Sequence, residues 1–157
     1  MRNRGQNWGT AMGAHRHAVP EAVGETREVL EAKLSRVTQQ LAGLNRELAS
    51  QMVLLADQTG DTAPLVGAVK ALRKVQSYYS ADQAPRETAE VHAALADALF
   101  ALGRARHDVE ALTHCVESYR SAITLSSLIG DDAWRRALRM KYRDAQSALQ
   151  SRQTLSA

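Results

Sequence analysis

Between residues 101 and 120 the chain reads ALGRARHDVEALTHCVESYR, which gathers its one Cys, two of its five His, an Asp and a Gly. Those residue types are the raw material of nucleophilic catalysis: a Cys115 thiolate to attack, His107 or His114 to take the proton, and Asp108 to orient the base. The spacing argues against that use. His114 is the immediate neighbour of Cys115, and adjacent helix residues project about 100° apart, so the two do not face each other. No Gly-rich phosphate loop, metal-ligand cluster or paired-carboxylate site occurs elsewhere in the sequence. His15 and His17 flank Arg16, but two ligands in a Gly- and Asn-rich stretch make a poor metal site. The expectation is a protein that is not an enzyme and needs no metal or cofactor.

The elements around this stretch are helical. Apolar residues make up 45% of the 157-residue chain and aromatic ones only 4%, with Ala and Leu abundant, which favours helix over sheet. A chain of this length is one domain, and its single Cys fits a reducing compartment. Residues 1–24 lack periodicity and read as a disordered leader, in which Trp8 is either a docking residue or nothing. With no signal-type apolar run and no membrane span, the expected location is the cytoplasm.

From Glu25 to about 58 a long helix is expected, with Leu30, Leu34, Val37, Leu41, Leu44 and Leu48 recurring in steps of 4, 3, 4, 3 and 4. That is a coiled-coil seam, and the N-terminal part of the helix is expected either to pair with a second copy of itself or to pack back on its own domain. Continuation through Met52 and Leu55 breaks the register as a stutter would. Gly60 ends this helix, with Asp61 or Thr62 capping the next, which runs from about Pro64 to Gln76. After a connection containing Tyr78 and Tyr79 (partner contacts or a lid over the helix pair), Pro85 opens a helix that stops at Gly103. Asp108 starts another, to about Leu125. Gly130 stops it, Asp131 or Asp132 caps the last helix, and that helix covers 133–150 before a tail at 152–157. Residues 25–151 form the expected domain.

Shifting the chain by 47 residues superposes its two middle hairpins without a gap. Ala49 falls on Ala96, Leu55 on Leu102, Gly60 on His107, Asp61 on Asp108, Leu65 on Leu112, Ala68 on Cys115, Val69 on Val116, and Leu72 on Tyr119. Agreement at core-type positions and at the turn Asp together marks a structural repeat, over about 41–76 and 88–125. A partial third copy lies 43 residues on, with Leu95 on Leu138 and Leu99 on Tyr142. Cys115 therefore takes the place of a small packing residue.

LADALFALG followed by CVESYRSAI resembles the tetratricopeptide repeat in its longer-turn variety. Leu95, Ala96, Ala98, Leu99, Leu102 and Gly103 match the first half of the motif, and Cys115, Val116, Tyr119, Arg120, Ala122 and Ile123 the second. The period is longer than the usual one of about 34 residues, which keeps HEAT-like hairpin arrays as an alternative. The resemblance implies an all-α fold of stacked antiparallel helix pairs, closed by a capping helix, that binds protein partners. It implies a groove lined by the first helix of each pair: Arg46, Ser50 and Val53, then Ala93, Asp97 and Phe100, then Arg136, Met140 and Arg143.

Charge supplies the alternative. Residues 134–157 hold six Arg/Lys against one Asp, although the whole chain is only +3. A basic last helix suits nucleic acid, or simply a solvated helix end. The reading is a non-catalytic adaptor for a peptide or helix of another protein, self-associating through Leu30–Leu48, with nucleic-acid binding through the last helix as the runner-up.

Overall fold

The structure, a computed structural model, describes residues 22–156, and among them it is all α: α1 (Ala22–Thr59), α2 (Ala63–Gln76), α3 (Pro85–Arg106), α4 (Val109–Ile129) and α5 (Asp132–Ser156). The leader, with Trp8, His15 and His17, lies outside the described residues except at its end, where α1 begins three residues before the expected Glu25. At the other terminus α5 continues through the expected tail to Ser156. The expected single domain over 25–151 is divided within α1: one unit ends at Leu34, and the other, which holds the core, begins at Ser35.

Local chemistry sets the boundaries. Asp61 Oδ1 accepts from the Ala63 amide at 2.9 Å and Pro64 lies in the first turn of α2, where its missing N–H costs nothing. Asp108 caps α4 by accepting from the Ala111 amide at 3.0 Å, and Asp131 does the same for α5 through Trp134 at 3.1 Å. Gly60 and Gly130 terminate α1 and α4 with φ of 71° and 75°.

Gly103 does not stop α3. The helix runs through it to Arg106, and His107 makes the left-handed turn instead, at φ 57°. His107 is the counterpart of Gly60 under the 47-residue shift, so the two turns share a backbone state while differing in residue type. Gly103 is needed for another reason: a Cβ there would lie 2.7 Å from Cγ of the fully buried Leu112. Its place in the preceding hairpin is taken by Ala56, also buried.

Consecutive helices pack: α2 on α3, α3 on α4, and α4 on α5. In the unit from Ser35 onward, α1 turns Ala42, Ala49 and Ala56 inward, one every second turn, and α3 turns Ala89, Ala96 and Gly103 inward at the same spacing. Small residues on that face let the helix backbones come close, and the larger Leu72, Leu112, Tyr119 and Leu138 fill the space between them, all with under 3% exposure. Tyr78 and Tyr79 are half-buried, packed against a satellite cluster of Ala42, Val75 and Val91.

Candidate partner-binding groove

The residues assigned to a groove divide into two sets. Arg46, Ser50, Val53 and Asp97 line one cleft between α1 and α3, of about 200 Å³, together with Ala49, Leu54, Leu72 and Ala94. Val53 also enters the adjoining cleft of about 670 Å³, where Phe100 forms the opposite wall. Arg136, Met140 and Arg143 lie on α5, exposed, and line neither cleft. Ala93 is buried in the core.

The larger cleft has an apolar floor of Val53, Leu54, Ala56, Leu65, Phe100 and Ala101 and a polar rim of Asp57, Asp61, Thr62 and Arg104. Its volume falls in the range of sites that bury a few side chains of a ligand. Phe100 is only half-buried. One edge packs on the core, and the guanidinium of Arg104 sits over the ring, 5.6 Å from its centroid. Leu54 was not singled out by the repeat register, and it is the more open apolar residue of the floor at 51% exposure. Its signal in the sequence was an apolar side chain that belongs neither to the Leu30–Leu48 seam nor to the small-residue face of α1.

Two of the polar groove residues have partners inside the fold. Arg46 Nη1 donates to Glu90 at 2.8 Å, Glu90 also receives Arg86 at 3.4 Å, and Arg86 reaches Asp131 at 3.5 Å, so a line of alternating charge joins α1, α3 and the start of α5. Asp97 accepts from Lys141 Nζ at 2.9 Å on both oxygens, and from the Tyr119 hydroxyl. These contacts tie Arg46 and Asp97 to the fold and leave Val53, Leu54 and Phe100 as the apolar lining. Arg106 Nε, donating to Thr62 Oγ1 at 2.9 Å, closes the far end against the α1–α2 turn.

The residues that opened the question lie elsewhere. Cys115 is fully buried, and burial together with nearby Asp97 pushes its thiol up to about 12. His114 faces Glu117 at 3.1 Å and Glu110 at 3.8 Å, on the surface of its own helix. His107 is exposed in its turn. His92 is lowered by burial and sits 3.3 Å from Gln76 Nε2. Burial makes a definite expectation for Cys115. Native protein reacts with iodoacetamide at pH 8 on the order of 100-fold more slowly than protein in denaturant, because the thiolate is both scarce and covered. A folded thiol value raised above the ordinary 9.0 means that the stability tied to the neutral thiol is intact below that pH and is lost as pH rises toward 12. Equal labelling rates in the two states would contradict the buried site.

In comparisons with known proteins, no family model matches the chain, and no curated protein or solved structure matches it. Among the described residues no helix is long and apolar enough to cross a membrane. Among the described residues the fold is all α, with packing between adjacent helices that is compatible with helical repeats.

Proposed function

We propose that the protein is a non-catalytic binding scaffold of the tetratricopeptide-like kind, which takes a peptide or helix of a partner protein in the groove between α1 and α3 and associates with itself through Leu30, Leu34, Val37, Leu41, Leu44 and Leu48. The observation that carries the groove is the apolar floor of Val53, Leu54 and Phe100 inside a rim of both charge signs, with Val53 and Phe100 at positions the repeat register marks out. Apolar anchors in a concave, partly dry setting supply most of the affinity of such a site, and the charged rim selects among ligands. Self-association has a simple physical basis. All six seam residues are more than 40% exposed, which is a costly arrangement for a free helix in water.

A peptide-library selection against the full chain tests the groove. Selected peptides are expected to be apolar, to bind with little dependence on salt, and to lose on the order of 10-fold or more in affinity on Phe100→Ala or Val53→Asp while the fold is retained by circular dichroism. Peptides that bind both variants as well as wild type place recognition outside the groove.

Nucleic-acid binding is the second reading, favoured by the exposed Arg136, Arg139 and Arg143 on α5. Fluorescence anisotropy with a short duplex and a single strand separates it from the first. Affinity falling steeply between low and physiological salt supports it, and affinity lost on Arg136→Ala/Arg143→Ala would place it on α5.

A further inference from the structure

The apolar stripe on α1 carries more order than a seam of six residues. Met52, which a stutter would place on it, turns toward α2 instead, where its Sδ lies 3.0 Å from the position a Cβ on Gly67 would take. The exposed residue is Leu55, at 49%. Leu34, Leu41, Leu48 and Leu55 are thus spaced by sevens, as are Leu30, Val37 and Leu44, and the heptad is unbroken. In that strict register the first set holds position a and the second position d. The polar residues at these positions are Arg27, preceding Leu34, and Gln51, following Leu44. The flanks differ. At the g positions Lys33, Gln40, Glu47 and Leu54 are exposed; at the e positions Glu31 is exposed, and Thr38, Asn45 and Met52 are half-covered by their own domain.

From this pattern we propose that α1 pairs with α1 of a second copy in antiparallel orientation, with Leu34 of one chain beside Leu44 of the other. The proposal rests on the reading of the stripe as a self-association surface and adds its direction and register. In antiparallel pairs each a position meets a d position, and g flanks g. In this register Leu41 meets Val37, Leu48 meets Leu30, and the two polar positions Arg27 and Gln51 meet each other. On the open flank Lys33 meets Glu47, twice in a two-fold dimer. A parallel in-register pair would bring Arg27 against Arg27 and set Lys33 beside Thr38 and Glu47 beside Met52. Sliding the antiparallel pair by one heptad either sets Gln51 against Leu34, with Lys33 beside Leu54, or sets Arg27 against Leu44. One arrangement pairs apolar with apolar, polar with polar, and opposite charges on the free edge.

The test uses the full chain with Leu34→Cys and Leu44→Cys made separately, each checked for helicity and for dimer mass by light scattering. The native Cys115 is buried and stays out of the reaction. Under mild oxidation the mixture of the two variants is expected to give the cross-linked dimer in at least about tenfold excess over either variant alone, since residues ten apart on a helix are about 15 Å apart along its axis. Efficient cross-linking of Leu34→Cys with itself would overturn the orientation, and equal yields from every combination would overturn the register. Charge exchange gives an independent readout. Lys33→Glu and Glu47→Lys each raise the dimer dissociation constant several-fold, and the double exchange restores it to within about twofold of wild type. A double exchange no better than the singles also overturns the proposal. Wild-type protein that is monomeric at every concentration removes the self-association reading itself. Cross-links in the wrong combination leave that reading standing and remove only the antiparallel register.

Discussion

The Leu34→Asn/Leu41→Asn variant is expected to be a folded monomer under conditions where the wild type is a dimer, with a dissociation constant at least about 100-fold higher. Each buried leucine contributes about 1.5–3 kcal/mol relative to exposure. In a two-fold pair both substitutions act twice, and only the part of each leucine exposed in the single chain is newly covered, so the loss is about 3 kcal/mol or more. At about 1.4 kcal/mol per tenfold in affinity, that exceeds two decades. The same substitutions cost the monomer little, since Leu34 is 67% and Leu41 42% exposed in the single chain. Surface changes of this kind fall within about 0.5 kcal/mol per site. Light scattering across a concentration series, read beside thermal melts extrapolated to low concentration, separates the two effects. A mass that halves with helicity intact is the expected pair of results. An unchanged mass would mean that the stripe is covered by something other than a second copy.

Tyr119→Ala is expected to have the largest effect on stability. Tyr119 is 2% exposed in the main core, and its hydroxyl donates to Asp97. Truncating a buried aromatic ring costs about 3–5 kcal/mol, and for a chain of this size that lowers Tm by on the order of 10 °C. Tyr119→Phe keeps the ring and removes one hydrogen bond, at about 1 kcal/mol. Asp97 is not stranded, because Lys141 still donates to it and its side chain is 44% exposed. Tyr119→Leu falls between the two. Leucine is the residue at the equivalent place in the preceding hairpin, Leu72, where it fits at 1% exposure. The order Phe, Leu, Ala in Tm tests whether ring volume or the hydroxyl dominates. A Phe variant as unstable as the Ala variant would assign the larger share to Asp97.

Much of the fold could be read directly from the residues, for identifiable reasons. Contacts at helix starts are local, so the caps Asp108 and Asp131, and Asp61 just ahead of α2, reveal those starts with no tertiary information. Small residues at a fixed spacing are equally plain: Ala49 and Ala96 share one environment, and so do Ala68 and Cys115, each pair close to fully buried. Gly103 was misread as a stop, because a glycine near a helix end can serve as a left-handed cap or as a point of close approach. Only the position of Leu112 distinguishes the two. His107 was correctly placed in a turn, but its residue type carries little warning of a positive φ. In the groove, the repeat register located Val53 and Phe100. The partners of Arg46 and Asp97 could not be read in advance, since Glu90 and Lys141 stand 44 residues away and answer to no periodicity. Arg136, Met140 and Arg143 were carried into the groove by the same register, yet they line neither cleft, because α5 closes the stack and presents this face to solvent.

The packing of α2 on α3, α3 on α4 and α4 on α5, neighbours along the chain, also bears on how the protein is made. Contacts between neighbours in sequence need only short loops to close, which places such a chain among the fast folders, in roughly the microsecond-to-millisecond range. Synthesis, at about 5–20 residues per second, is slower by orders of magnitude. Each hairpin can therefore dock as soon as it leaves the ribosome, and the order of assembly follows the order of translation. Helix α1, with its apolar stripe, emerges before the helices that cover its inner face. The interval before α2 and α3 cover its inner face is when a nascent chain of this protein is most exposed to sticking, and when neighbouring copies on one message would first meet.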